Sequence, residues 1–217
     1  NNGKYKIISN GHTIKANKVV MATNGFYKDD IFPKLNNMIL PVISNIIITR
    51  PLTKDEIDSH NFITNNPVLN IRNLLFYYRL LKDNRFLFGA RGDLLGSEKS
   101  SIIKSKKMED QMKKVFPNWK KVEIDYHWRG LVAVTTKFTP SIGKLEEDEI
   151  YYSFGYQANG VNTAPWSGNE LAKLICSNSK ELNISKFYKG LPSKFPFPKL
   201  RLFYLRLYLL YCSMIDK

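Results

Sequence analysis

Apolar and polar residues alternate along Tyr5-Lys6-Ile7-Ile8-Ser9 and along His12-Thr13-Ile14-Lys15-Ala16, with Asn10-Gly11 between them. Asn and Gly both tolerate positive φ, so this pattern predicts a β-hairpin closed by a type I′ turn. Val19-Val20-Met21-Ala22-Thr23-Asn24-Gly25 is instead a continuous apolar run that ends in small residues, as expected of a buried parallel strand. From Met38 to Pro51 the chain is Ile-rich and β-branched, and Pro41, which has no N–H for a ladder, predicts an edge strand or a bulge. Leu74 to Leu80 and Arg85 to Ala90 flank Asp83-Asn84 as a second hairpin.

Between Ser100 and Phe116 the period lengthens. Met108, Met112, Val115 and Phe116 recur at helical spacing with lysines opposite, and Pro117 stops the predicted helix. Val122, Ile124, Tyr126 and Trp128 then alternate with Glu123, Asp125 and His127, which predicts a half-buried strand with a polar face open to solvent or a cavity. A further strand, Ile150 to Phe154, runs through Gly155-Tyr156-Gln157-Ala158-Asn159-Gly160-Val161-Asn162 into a helix over about Trp166 to Cys176. No repeat or linker interrupts the series, so the expected fold class is α/β: a mixed β-sheet with flanking helices, joined to a parallel layer.

Composition narrows the functions. With 43% hydrophobic residues in 217, the chain can bury a substantial core, which excludes a disordered protein. A net charge of +14 favours a phosphate-bearing partner only where the charge is clustered. Lys104, Lys106 and Lys107 form the one tight basic group, and Glu109 and Asp110 follow it, so no nucleic-acid partner is expected. Cys176 and Cys212 lie far apart and suggest neither a disulfide framework nor a metal site; both are expected to be buried thiols. The apolar tail from Leu202 to Ile215 is interrupted by Arg206 and is shorter than the about 20 residues of a membrane span, so a cytoplasmic protein is the expectation. His12, His60 and His127 sit in unrelated segments, and no catalytic residue is assigned.

The strongest local feature is the glycine-containing turn between Ile150 and Cys176. Small residues let backbone approach a ligand closely, and free N–H groups at a helix start favour an electron-rich group such as the pyrimidine edge of a flavin. A turn that merely joins strand to helix has the same local pattern. Separated segments in a fixed order decide between the two. They are Lys18 to Gly25, Ile39 to Ser44 with Thr49 to Leu52, Tyr77 to Leu80 with Leu87 to Arg91, Val115 to Pro117, Ile124 to Thr135, Thr139-Pro140-Ser141-Ile142-Gly143, and Tyr152 to Gly168. Together they resemble the C-terminal part of the D-amino-acid oxidase and sarcosine oxidase superfamily of FAD-dependent oxidoreductases, in particular its γ-glutamylputrescine oxidase branch.

The resemblance implies roles. Ala22, Thr23, Asn24 and Gly25 would pack against FAD, Ala158, Asn159, Gly160, Val161 and Asn162 would border the flavin ring, and Pro140, Ile142 and Gly143 would support its edge. Tyr78, Arg91 and Trp128 would face a small-molecule amine substrate. Residues 1–36 and 136–217 would belong to the FAD-binding Rossmann-like domain, and residues 37–135 to the substrate-binding sheet. The implied reaction removes hydride from the C–H bond beside an amine and leaves an imine that water hydrolyses, with γ-glutamylputrescine or another N-substituted amine as substrate.

Departures from the family pattern add expectations. Amino-acid-oxidising relatives place an Arg after the Trp-x-Gly region where Val132 and Ala133 stand here, which points away from a simple α-amino acid. Sarcosine oxidases attach flavin through a Cys where this chain has Thr135-Thr136-Lys137, so FAD is expected to be noncovalent. The usual Ser-Gly-His-Gly turn is Gln157-Ala158-Asn159-Gly160, which sets a methyl at a close-approach position. No Gly-x-Gly-x-x-Gly fingerprint occurs in the 217 residues, so these residues alone are expected to be an incomplete enzyme. A separate chain supplying the N-terminal dinucleotide-binding portion is then a candidate partner. The alternatives are a noncatalytic, partner-dependent remnant of a split flavoenzyme, an amino-acid or sarcosine-type oxidase and, last, a basic nucleic-acid binder.

Overall fold

A computed structural model describes residues 5–29, 31–93, 97–145, 148–177 and 182–216, apart from the side chains of 92 and 93. In chain order the strands and helices are β1 (Tyr5–Ser9), β2 (His12–Ala16), β3 (Val19–Met21), β4 (Leu40–Pro51), α1 (Lys54–Asp58), β5 (Val68–Leu69), β6 (Phe76–Leu80), β7 (Arg85–Asp93), α2 (Glu98–Val115), β8 (Ile124–Val134), β9 (Ser141–Lys144), β10 (Ile150–Phe154), α3 (Gly160–Cys176) and α4 (Arg201–Ile215). The chain divides into two compact units, Asn1–Pro41 with Val132–Arg201, and Val42–Leu131 with Leu202–Lys217. The described residues form a mixed α/β protein with three sheets.

The first unit holds the β1-β2 hairpin, where Asn10 and Gly11 have φ of 48° and 79° as a type I′ turn requires. Its three-stranded sheet runs β3-β10-β9, with β3 parallel to β10 and β9 antiparallel. Every residue of β10 is buried, which explains an apolar run without alternation. One core cluster holds Met21, Leu35, Met38, Ile39, Ile150, Tyr152 and Phe154; another joins Ile142 and Tyr151 to Leu171 and Leu174 of α3. The helix starts at Gly160, not near Trp166, with Pro165 inside it. The carbonyl that Pro165 leaves without an N–H partner belongs to Val161, a residue 96% exposed and open to water.

The second unit carries a sheet of order β5-β6-β7-β4-β8. Phe76, Leu80, Phe86, Phe88 and Ile47 pack on one side of it with Met108 and Met112 of α2, and with Phe116 and Trp119 just beyond that helix. Ser97 caps α2 by accepting the Ser100 N–H. Of the edge strand or bulge predicted at Pro41, the structure has the bulge: β4 is an interior strand whose register with β7 shifts between Ile43 and Ser44. Two expectations are corrected. The predicted alternation holds at Val122, which is buried, and at Ile124, which packs on the core, and reverses beyond them, where Tyr126 and Trp128 are 57% and 44% exposed while His127 and Arg129 are half-buried. Cys176 is exposed, although Cys212 is buried. The tail forms α4, and residues 202–216 group with this unit because Asp216 accepts hydrogen bonds from the Asn73 N–H, Asn73 Nδ2 and the Leu74 N–H. No helix among the described residues is long and apolar enough to cross a membrane.

Candidate functional site

In the first unit β3 and β10 run parallel as neighbours, with Met21 paired to Tyr152, so the chain leaves both strands at the same sheet edge. Ligands of open α/β sheets bind beyond the carboxyl ends of such strands. β3 exits into Ala22 and Thr23, both exposed, and then into a short 3-10 turn, Asn24–Phe26. β10 exits into Gly155 and, through 156–159, into α3. A hydrogen bond ties the two exits: Asn24, at φ 46°, accepts the Gly155 N–H on Oδ1 at 3.0 Å. β9 enters at this edge, since Ser141 lies opposite Phe154 and follows the buried Pro140. The structure thus brings 22–25, Pro140 and 158–162 together within one unit.

Backbone conformation shapes the turn. Gly155 has φ 78°, and a Cβ there would lie 2.7 Å from Thr135 Cγ2, so glycine is required twice over. Gln157 and Ala158 are also left-handed, at 51° and 71°, although neither is glycine. Gln157 Nε2 donates to Thr135 Oγ1 at 3.1 Å and to the Gly155 carbonyl at 3.0 Å, pinning the turn to the end of β8. Ala158, Asn159, Val161 and Asn162 present exposed surface. Asn159 is the N-cap of α3 but its side chain makes no capping bond; the Asn162 and Thr163 N–H groups donate to the Asn159 carbonyl, and those of Gly160 and Val161 have no partner among the described residues. Ser141 Oγ is buried without a partner, a vacant hydrogen-bonding position at the same edge. Met21, Thr23, Asn24, Tyr27, Leu35, Ile39 and Phe154 line a small apolar pocket.

Two residues named from sequence have a different local environment. Ile142 is fully buried in the core with Leu171 and Leu174, and Gly143 is dictated by packing, since a Cβ there would sit 2.6 Å from Tyr152 Oη. They hold β9 in place.

In the second unit Tyr78, Arg91 and Trp128 are not joined by any hydrogen bond or ring contact among the described residues. Tyr78 packs with Phe62, Phe86, Phe88 and Phe116 on the helix-covered side of the sheet. Its neighbour Tyr77 takes the opposite face, paired to Gly89, where a Cβ would meet the Tyr77 ring at 2.1 Å. Tyr77 Oη shares a 2.9 Å hydrogen bond with Ser44, whose cross-strand partner is Arg91. Burial raises the Tyr77 phenol above its usual 10.0, partly offset by Ser44 and by the Arg91 charge. Sequence reasoning passed over Tyr77, Ser44 and Thr135; the signal available was the hairpin itself, whose register selects which tyrosine shares a face with Arg91.

The sequence matches the DAO family, described as FAD dependent oxidoreductase, over residues 1–174. It is 35% identical over 189 residues to the probable oxidoreductase OrdL of Haemophilus influenzae, covering 84% of this chain and 41% of that protein. It is 31% identical over 186 residues to the gamma-glutamylputrescine oxidoreductase of Escherichia coli, covering 85% and 42%. The chain therefore spans less than half the length of these relatives. Among solved structures, glycine oxidase from Geobacillus kaustophilus superposes with a TM-score of 0.66 at 18% identity, over 86% of this chain and 48% of that one.

Proposed function

Because this chain belongs to the DAO family of FAD-dependent oxidoreductases, we propose that it forms the flavin-facing and substrate-facing part of an enzyme that oxidises the C–H bond next to an amine. The observation that carries this reading is the convergence of Ala22 to Gly25 and Ala158 to Asn162 on one sheet edge, tied by the Asn24–Gly155 hydrogen bond. When bound, FAD supplies the acceptor for hydride from that bond. The protein's part is to hold and polarise. The N-terminus of α3, a 17-residue helix, would offer the N–H groups of Gly160 and Val161 to the cofactor and favour negative charge there. No carboxylate stands among the residues of 22–25 or 158–162 to oppose it. Small residues at Ala22, Gly25 and Gly160 leave room for close approach.

Attachment is noncovalent in this reading. The segment Thr135-Thr136-Lys137 has no thiol, and Cys176 sits at the far end of α3, roughly 24 Å from its start at 1.5 Å per residue. An N-substituted amine of the γ-glutamylputrescine type is the substrate that the E. coli relative suggests. Among the described residues β3 is an edge strand, and Val20 on its face is 47% exposed, an unusual state for a parallel pair. A further parallel strand and its crossover helix from the dinucleotide-binding portion, in the same polypeptide or a separate chain, would pair with that edge and cover that face.

The test is to coexpress these 217 residues with the N-terminal half of a relative and record the visible spectrum of the purified complex. An oxidised-flavin band is expected, released by acid precipitation and bleached anaerobically by γ-glutamylputrescine. Two folded, associated pieces without flavin absorbance would remove the proposal; bleaching by glycine or sarcosine alone would favour the amino-acid-type alternative.

A further inference from the structure

The last helix is amphipathic the wrong way round. Leu205 and Cys212 of α4, with Asp216 just past its end, are its buried residues, at intervals of seven and four along one side. On the other side Phe203, Leu207, Leu210 and Met214 follow at intervals of four, three and four, with Tyr211 beside them, and each is more than half exposed. A surface helix ordinarily puts its charged face there. Polar bonds fix the inward side: Asp216 accepts the Asn73 and Leu74 N–H groups and lies 3.9 Å from Arg72. The apolar side is therefore held outward on the second unit, and a contiguous apolar surface of this kind marks an interaction site.

Charge selects what covers it. From Leu182 to Ile215 the sequence has no Asp or Glu, and it carries Lys186, Lys189, Lys194, Lys199, Arg201 and Arg206. Arg201 is paired with Asp29, whereas Lys194, Lys199 and Arg206 are exposed and stand in no ion pair among the described residues. A second copy of this face would bring like charges together, and a protein cover would have to supply acids to pair with them. Anionic lipid complements both properties at once: acyl chains take the Leu, Phe and Met side chains, and headgroup phosphates take the cations. At 15 residues, roughly 22 Å, α4 is shorter than the about 30 Å of hydrocarbon that a spanning helix crosses, so it lies along the surface. Tyr211 has the apolar ring and polar tip that suit headgroup depth.

We propose that α4 docks the protein on an anionic bilayer, with Phe203, Leu207, Leu210 and Met214 at the acyl boundary and Arg206 among the phosphates. The docking needs no flavin and stands apart from the amine-oxidising reading.

The experiment sediments the 217-residue chain with vesicles of phosphatidylcholine alone or mixed equally with phosphatidylglycerol. Pelleting is expected with the mixed vesicles, and weaker pelleting with the neutral ones. Arg206→Gln should weaken partitioning about fivefold, the effect of one cation near an anionic surface. Lys106→Gln, which removes an exposed cation of α2, should weaken it less. Leu207→Glu should abolish it; the side chain is exposed, so the fold should survive, and far-UV circular dichroism checks this. As a second measurement, the emission of Tyr211→Trp should shift to the blue on mixed vesicles, beyond any change in the native chain. No pelleting, equal pelleting with neutral vesicles, no blue shift, or pelleting that survives Leu207→Glu overturns the docking. A dimer that Leu207→Glu disperses, without vesicle binding, assigns the face to a second copy instead. Loss of binding on coexpression with the N-terminal half of a relative assigns the face to that half and equally overturns the docking. A flavin-free complex that still binds mixed vesicles would sink the oxidation reading and leave the docking standing.

Discussion

Ala158→Gly should stabilise the protein, against the usual effect of introducing glycine. Ala158 is held at φ 71°, where its Cβ crowds the backbone at a cost of about 1–2 kcal/mol relative to glycine. The residue is exposed, so deleting its methyl group removes little packing. Glycine gains freedom in the unfolded chain, which offsets about 0.4–1 kcal/mol of this. A net gain of about 1 kcal/mol remains, or about 2–4 °C in Tm for a chain of this size. Ala172→Gly is the matched control. It is also exposed, but lies inside α3, where glycine costs about 0.5–1 kcal/mol. Urea titration followed by tryptophan fluorescence, with m unchanged, should move the two midpoints in opposite directions. If Ala158→Gly lowered the midpoint as Ala172→Gly does, the strain assigned to this turn would be wrong. In the complex used to test for flavin, the same substitution should tighten FAD binding, because it clears a methyl group from the close-approach position.

Glu56 answers to pH. Its carboxylate takes a two-pronged hydrogen bond from Arg50 and closes a capping box with Thr53, which lowers it from 4.5 to about 2. A lowered acid contributes stability above pH 4.5 and loses it as pH falls toward 2. Glu56→Gln should therefore cost about 1 kcal/mol at neutral pH, in a partly exposed pair, and flatten the acid limb of the stability curve. Gly143→Ala should cost about 1–3 kcal/mol by driving a Cβ into the buried Tyr152 ring, read as a lower urea midpoint.

The sequence alone determined the local pieces and their chemistry. Asn10-Gly11 specified a hairpin, and Ile150 to Phe154 and the apolar run from Val19 specified strands, although Val20 in that run is 47% exposed and not buried as its pattern suggested. These are legible because turn chemistry and hydrophobic period are properties of adjacent residues. Tertiary structure decided the partnerships. Tyr77 and Tyr78 are equivalent in any local pattern, and only the β6-β7 turn, with Asn84 at φ 63° and the Leu81 N–H bonded to the Arg85 carbonyl, sets the register that gives Tyr77 to Arg91 and Tyr78 to the core. A slip of one residue would exchange them, since strand side chains alternate between faces. The interior place of β4 despite Pro41, and the pinning of Gln157 to Thr135 from 22 residues away, were likewise fixed by neighbours in space. Local periodicity records how a strand is covered, and the identity of what covers it is a non-local fact.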